Sequence, residues 1–171
     1  MAINQFINHY NIMMKIISHR GNLNGPEPEK ENSIERICAA LKIGFDVEID
    51  VWVKDKSKIY LGHDEPTYEV DLTFILKHAE KLWVHCKNIE GMSFFNDFNF
   101  INFFGHSYDD FVLTSKRYIF TKPGQAQTKN SVCVMPERSG KLGATGILTF
   151  GVCTDFPILY KDKVLGDIFC S

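Results

Sequence analysis

The stretch of sequence from residue 44 to residue 64 constrains the fold of this chain more than any other. Between Phe45 and Val53 the side chains alternate, which predicts a β-strand. One face would carry four apolar side chains and the other three carboxylates and an indole: Val47, Ile49, Val51 and Val53 against Asp46, Glu48, Asp50 and Trp52. Carboxylates two residues apart repel one another, and burying them unpaired is costly. Two alternatives follow, a buried strand whose carboxylates share a bound cation and an edge strand whose acidic face is solvated.

The length of the chain predicts the number of domains, and its net charge argues against one class of partner. A chain of 171 residues is long enough for one domain with a real core, so we expect a single domain over residues 1–171. Residues 1–13 would form an extension ahead of the first strand, either a short helix or an unordered tail. With 19 basic and 21 acidic residues the chain is nearly balanced, which argues against a general nucleic-acid binder.

The apolar runs and the cysteines of the sequence indicate the cellular compartment in which we expect the protein. No run of about eighteen apolar residues is present, so the sequence predicts no transmembrane segment, and it shows no secretory signal. The five cysteines are scattered, and no two have the Cys-x-x-Cys spacing of a zinc or redox site. Unpaired thiols indicate a reducing compartment, and we expect a cytoplasmic protein. The sequence leaves the oligomeric state open.

The order of predicted elements points to an α/β fold. A strand at residues 15–18 is followed by a helix with a capping-box pattern at Asn32 and Glu35 and a stop at Gly44. After the acidic strand, a return strand ends at Gly62, Asp71 begins a second helix, and a third strand covers residues 82–86. This alternation predicts parallel pairing, and several later strand-like runs predict closure. The expectation is a compact TIM-type (β/α)8 barrel with shortened or missing helices in its second half, because such barrels typically need about 250 residues.

Charged and imidazole side chains follow the predicted strands at their carboxyl ends. In parallel α/β folds these ends meet at one rim, where active sites form. The residues brought together there would be two histidines, two carboxylates and two cations: His19, His63, Glu48, Asp50, Arg20 and Lys87.

Four short motifs in this region resemble those of the glycerophosphodiester phosphodiesterase family, which belongs to the phospholipase-C-like phosphodiesterases. In chain order they are His19-Arg20-Gly21, Glu31-Asn32-Ser33, Glu48-Ile49-Asp50 and His63-Asp64. The resemblance is specific over residues 16–64. It extends loosely to residues 154–157, Thr-Asp-Phe-Pro, which are similar to the end of that family's last strand.

The resemblance implies a TIM barrel and a metal-dependent site. In it, Glu48 and Asp50 would bind a divalent metal, Mg²⁺ or Ca²⁺, and His19 and His63 would act as general base and general acid. Arg20 would contact the phosphoryl oxygens. The chemistry is consistent, because cleaving an anionic diester needs charge neutralisation, which Lys87 would also supply, and two proton transfers near neutral pH. The remaining motif members would support the site: Glu31, Asn32 and Asp64.

The sequence departs from the family pattern at two points. His85 stands where the family commonly has a third acidic ligand, and it would either bind the metal or contact the phosphate. Asp46 would either point inward beside Glu48 or lie low in the barrel against a cation. His106 and Glu137, at the ends of later strands, are weaker candidates for the lining of the pocket.

The expected function is metal-dependent hydrolysis of a small phosphodiester. Two alternatives remain from the sequence: a lyase that releases a cyclic phosphate, and a non-catalytic module that binds a phosphate-containing ligand. His85 favours the binding module, whereas the presence of both His19 and His63 disfavours it, since a binder needs neither acid nor base.

Overall fold

The computed structural model of the chain describes residues 14–55, 57–139 and 149–162; the predicted extension over residues 1–13 lies outside them. These residues form ten strands and four short α-helices. The strands are β1 (Lys15–His19), β2 (Asp46–Lys54), β3 (Lys58–Leu61), β4 (Tyr68–Val70), β5 (Leu82–Cys86), β6 (Asn102–Phe104), β7 (Phe111–Leu113), β8 (Ile119–Thr121), β9 (Ser131–Val134) and β10 (Gly151–Thr154). The helices are α1 (Ile34–Ile43), α2 (Leu72–Lys77), α3 (Ile89–Phe95) and α4 (157–162), with a 3₁₀ turn at Pro136–Ser139.

All ten strands belong to one mixed sheet that curls on itself. Seven strands are parallel, in the order β6-β5-β2-β1-β10-β9-β8, and β7 adds to β8 in the antiparallel direction. The parallel pairing predicted for the first half is confirmed. β3 pairs antiparallel with the second half of β2 and β4 pairs antiparallel with β3. The sheet thus brings the carboxyl ends of seven strands to one edge.

The predicted (β/α)8 barrel is wrong. The sheet is mixed and forms a curled half-barrel, and an α-helix follows a strand of the parallel set in few places. The physical reason is chain length after β6. Only the six residues 105–110 separate β6 from β7, and β7 and β8 are joined by residues 114–118, too few for a helical crossover. A hairpin forms there instead of a strand–helix–strand unit.

Local capping explains where the helices begin and end. The N-cap of α1 is Ser33, whose hydroxyl accepts a hydrogen bond from the Arg36 amide, so the capping box predicted at Asn32 is wrong. Gly44 ends α1 in a left-handed conformation with φ 106°, as predicted. Asp71 caps α2, also as predicted. No helix within the described ranges is long and apolar enough to cross a bilayer.

The first half of the sheet holds the larger part of the core. The apolar face of β2 packs beneath α1 and α3, and its valines and Ile49 are all essentially inaccessible. The carboxylates of the opposite face are buried as well, and β2 is not an edge strand, because β1, β3 and β5 all pair with it. The solvated edge-strand alternative is therefore wrong, and the carboxylates of β2 need partners inside the protein. Four described cysteines are free and three of them are buried.

Candidate active site

A sharp turn after β1 positions the first two candidate residues. Arg20 adopts a left-handed conformation with φ 53°, and its amide donates to the backbone oxygen of Glu48 at 2.9 Å. Gly21 follows with φ 80°, and a Cβ there would lie 3.0 Å from the backbone of α1 at Arg36. Glycine is therefore required, and the His-Arg-Gly sequence is the local solution to bringing β1 close to α1. The strained backbone at Arg20 is typical of a functional position.

Asp50 is the most heavily bonded carboxylate of the site. It is fully buried, and its Oδ2 accepts from Asn32 Nδ2 at 2.9 Å and lies 2.9 Å from Arg20 Nε. Its Oδ1 lies 2.9 Å from His85 Nδ1 and 3.5 Å from Lys87 Nζ. Burial alone would raise the pKa of Asp50, but the hydrogen bond from His85 and the charges of Arg20 and Lys87 hold it well below its usual value. Asp50 is therefore ionised.

Glu48 lies two residues away with far fewer partners. Its closest contacts are the Arg20 amide at 3.3 Å, His85 Nδ1 at 3.7 Å and His19 Nε2 at 3.9 Å. Burial and the neighbouring charge of Asp50 raise the pKa of Glu48 above its usual value. A buried carboxylate that gains this little from protein donors is a strong attractor for a cation.

His85 completes a group that can hold a metal ion. One ligand atom each from Glu48, Asp50 and His85 lies within 4.8 Å of the others. The His85 ring is stacked with Phe104, at 5.1 Å between ring centroids, and with His106, at 4.6 Å. With Nδ1 directed at Asp50, its buried Nε2 has no hydrogen-bond partner among the described residues. Two carboxylates and an imidazole form a chemically suitable donor set for a divalent cation.

His19, at the end of β1, is held by a carboxylate from the last strand. Its Nδ1 lies 2.7 Å from Asp155 Oδ1, which also accepts from Asn22 Nδ2 at 2.9 Å. Burial alone would lower the pKa of His19, but the hydrogen bond to Asp155 and the charge of Glu48 outweigh it and raise the pKa. The same contact lowers the pKa of Asp155 against the effect of its burial. Because Nδ1 is occupied, His19 can exchange a proton through Nε2.

His63 lies in the turn after β3 and is more accessible than His19. Its Nδ1 contacts Asp64 Oδ1 at 2.7 Å. Gly62 precedes it, and a Cβ at that position would meet the Glu65 oxygen at 2.1 Å, so glycine is required for this turn. Burial, followed by the charge of Arg20, lowers the pKa of His63. The two candidate catalytic histidines thus have pKa values shifted in opposite directions, an arrangement suited to one acid and one base.

One cavity of about 530 Å³ connects these groups. Its charged and imidazole lining comes from β1, β2, β5 and the turns after β1, β3 and β5: His19, Arg20, Glu48, His63, His85 and Lys87. Its buried lining from β6 onward is apolar and aromatic, with Phe104 and Phe120 as the largest members, and exposed polar residues such as Ser107 and Arg138 complete this side. His106 also lines the cavity, and exposed Asp109 and Asp110 stand at its rim.

Four of the other predicted residues have structural partners. Glu31 accepts hydrogen bonds from Arg20 Nη1 and Asn22 Nδ2, both at 2.8 Å, and Asn32 bonds both the amide and the carboxylate of Asp50. None of these four lines the cavity, and neither do Asp50 and Asp64. Asp46 lies low in the sheet, 3.2 Å from Lys15 Nζ and 3.0 Å from Trp83 Nε1, which is the second of its predicted placements. Glu137 accepts from the Thr154 hydroxyl and the Asp155 amide, both at 3.0 Å.

Sequence analysis missed the contact between Asp155 and His19 and the role of Asn22. Asn22 is fully buried and joins Glu31 to Asp155. The Thr-Asp-Phe-Pro sequence at the end of β10 was the available signal, because β10 pairs with β1 and their carboxyl ends therefore lie side by side. Neither a family model, nor a curated protein, nor a solved structure matches this chain. The resemblance stated above therefore depends on its motifs alone.

Proposed function

We propose that this protein is a metal-dependent phosphodiesterase that hydrolyses a small phosphodiester in the reducing cytoplasm, as its resemblance to the glycerophosphodiester phosphodiesterases implies. The observation that carries the proposal is the grouping, on one cavity, of two histidines with opposite pKa shifts, two cations and Glu48, whose buried neighbour Asp50 lies behind the lining and pairs with both cations. A phosphodiester is an anion, and its cleavage requires neutralisation of charge and transfer of protons, which are the two things this group can supply.

Arg20 and Lys87 are the residues that would bind the phosphoryl oxygens. Both side chains line the cavity and are mostly buried, and both are anchored on Asp50, which fixes their direction. Arg20 forms an ion pair with Asp50 through Nε and donates a hydrogen bond from Nη1 to Glu31, and the guanidinium carries further N–H donors. A preorganised cation in a half-buried site stabilises developing negative charge at little reorganisation cost.

His19 and His63 would carry the protons. One removes a proton from the attacking hydroxyl or water, and the other donates a proton to the departing alkoxide. Asp155 fixes the tautomer of His19, and Asp64 does the same for His63, so that each histidine presents Nε2. If the attacking hydroxyl belongs to the substrate, the first product is a cyclic phosphate.

The divalent cation would be held by Glu48 and Asp50, with His85 as the third ligand. The ion, Mg²⁺ or Ca²⁺ in our proposal, would supply Lewis-acid stabilisation of the phosphoryl oxygens. Because imidazole suits softer metals than carboxylate does, Mn²⁺ and Zn²⁺ belong in any test of ion preference.

The deciding experiment is turnover of a phosphodiester panel by the full chain. The panel contains glycerophosphocholine, glycerophosphoglycerol, glycerophosphoinositol and bis(4-nitrophenyl) phosphate, each with Mg²⁺, Ca²⁺, Mn²⁺, Zn²⁺ or a chelator, with ³¹P NMR of the products. We expect metal-dependent release of a phosphomonoester. A cyclic phosphate as the final product would move the protein to the lyase class. Absence of turnover on every diester with every ion would contradict the proposal.

A further inference from the structure

The part of the cavity that lies away from the charged cluster is built from apolar side chains. Its buried members come from three different strands: Phe104 of β6, Phe120 of β8 and Cys153 of β10. Val134 at the end of β9 and Met135 beside it are partly buried and extend the same surface. We call these five residues the apolar wall. Phe104 and Phe120 pack against each other, with their ring centroids 4.5 Å apart.

The apolar wall is continuous with the charged cluster. The Phe104 ring lies parallel to the His85 ring, with an angle of 2° between them. On the other side, Cys153 belongs to β10, which pairs with β1 and so lies beside the strand that ends at His19. A phosphate bound at Arg20 and Lys87 would therefore have an ester substituent that extends along the wall.

Hydroxyl groups would find few partners on this surface. The polar side chains that line the cavity from β6 onward are all exposed and stand at its rim: His106, Ser107, Asp109, Asp110, Lys122 and Arg138. Of these, Lys122 already donates to the Tyr108 backbone oxygen at 2.9 Å and lies 3.6 Å from Asp110. A polyol placed against the wall would lose water from its hydroxyls without regaining hydrogen bonds, and that loss is costly. An alkyl or aryl group placed there would gain from burial of its apolar area.

We infer that the alcohol that this site accepts beside the phosphate is apolar, an alkyl or aryl group, and is not glycerol or another polyol. The inference rests on the proposed function for the placement of the phosphate. It replaces the polyol ester, which the family resemblance would suggest, with a different substrate class. Pockets of this size bury most of a small ligand, so the polarity of the lining residues determines which ligands bind tightly.

Calorimetric titration of two phosphomonoesters tests this inference without depending on turnover. Phenyl phosphate and glycerol 1-phosphate carry the same phosphate group and differ in the alcohol, so the ratio of their Kd values reports on the wall. We expect phenyl phosphate to bind at least about tenfold more tightly to the full chain, with the preferred divalent ion present. Val134→Thr keeps the side-chain shape but adds a hydroxyl at the wall, and it should reduce the ratio severalfold.

Val70→Thr is the matched control, since Val70 is buried on β4 and does not line the cavity. It should leave the ratio unchanged. Equal affinities, or tighter binding of glycerol 1-phosphate, would overturn the apolar-alcohol inference and leave the phosphodiesterase proposal standing. Binding of neither ester would also overturn it, and turnover of the diester panel would then decide the phosphodiesterase proposal separately. The comparison of two ligands on the unaltered chain remains decisive even if Val134→Thr does not fold.

Discussion

The two halves of the curled sheet line the same cavity with different kinds of side chain. Strands β1, β2 and β5 present charged side chains to the cavity, and behind them lie α1, α2 and α3 and the largest cluster of buried apolar residues. From β7 to β9 the strands are three or four residues long, and no α-helix lies between them in the described part of the chain. Their contribution to the cavity is mostly apolar, and the core clusters beneath them are small.

This difference shows where charge can be buried. Asp50 is fully buried because β2 is paired on both edges and its neighbours deliver Asn32, Arg20 and His85 to its oxygens. Ionised groups tolerate burial only when such partners are fixed in place, which requires a rigid scaffold. The short strands of the second half lack that support, and they line the cavity with side chains that need no partners.

The largest expected effect concerns the two histidines of the charged half that we propose transfer protons. His19→Asn and His63→Asn should each lower kcat/KM for the best diester by about a hundredfold or more, because each would remove a proposed general acid or base. The measurement is initial-rate kinetics with the preferred ion. His78 is in edge-to-face contact with Phe74 and does not line the cavity, so His78→Asn should keep the rate of the unaltered chain. If either active-site variant turns over at the unaltered rate, the two-histidine mechanism is wrong.

A nearly equal effect is expected for the cation at Glu48. A divalent ion at about 100 times its Kd should stabilise the fold by about 2.7 kcal/mol. For a chain of this size that corresponds to a rise in melting temperature of roughly 5–10 °C. Glu48→Gln should abolish most of the rise, measured by thermal denaturation with and without the ion. Glu69→Gln, at an exposed position of β4, should retain it. An unchanged rise in Glu48→Gln would mean that the ion binds elsewhere.

Glu48→Gln should also change how the stability of the metal-free protein depends on pH. Because burial raises the folded-state pKa of Glu48, the stability it contributes is complete below its unfolded pKa and is lost as pH rises through the folded pKa. Glutamine has no such loss. Glu48→Gln without metal should therefore be at least as stable as the unaltered chain at neutral pH, and less dependent on pH between mildly acidic and neutral conditions.

Much of the charged half could be predicted from sequence because its signals are local. The alternation of β2, the stop at Gly44 and the cap at Asp71 each depend on neighbouring residues, and the structure has all three. The cluster of Glu48, Asp50 and His85 follows from the parallel pairing of β2 with β5, which places Asp50 opposite His85. The capping box failed because Asn32 has a stronger demand on its side chain, the two hydrogen bonds to Asp50.

The second half could not be predicted in the same way. Strands of three or four residues, such as β7 and β8, are too short to establish a periodicity. Their antiparallel pairing therefore could not be predicted from sequence, and a closed barrel was expected. The contact of His19 with Asp155 joins residues 136 positions apart, so no local sequence pattern predicts it. In the first half, α3 was also missed, although Asn88 caps it.

An intermediate effect is expected when the same substitution is made in each half and the losses in free energy of unfolding are compared. Val47→Ala on β2 removes a fully buried side chain beneath the helices and should lower the free energy of unfolding by about 2 kcal/mol. Val112→Ala on β7 makes the same chemical change in a half-buried edge strand and should cost less than about 1 kcal/mol. Urea denaturation of both variants gives the comparison. Equal costs would show that the second half is as tightly packed as the first.

The smallest expected effect joins the two halves, because Asp155 of the second half holds His19 of the first. Asp155→Asn still accepts a hydrogen bond from Nδ1 but removes the charge, so we expect a decrease of about tenfold in kcat/KM at neutral pH. Asp155 raises the pKa of His19, so its replacement should lower that pKa. If His19 is the base, the acid limb of the pH–rate profile moves to lower pH. If His19 is the acid, the alkaline limb moves to lower pH. A purely structural Asp155 would move neither limb, so the profile both tests the contact and assigns the proton.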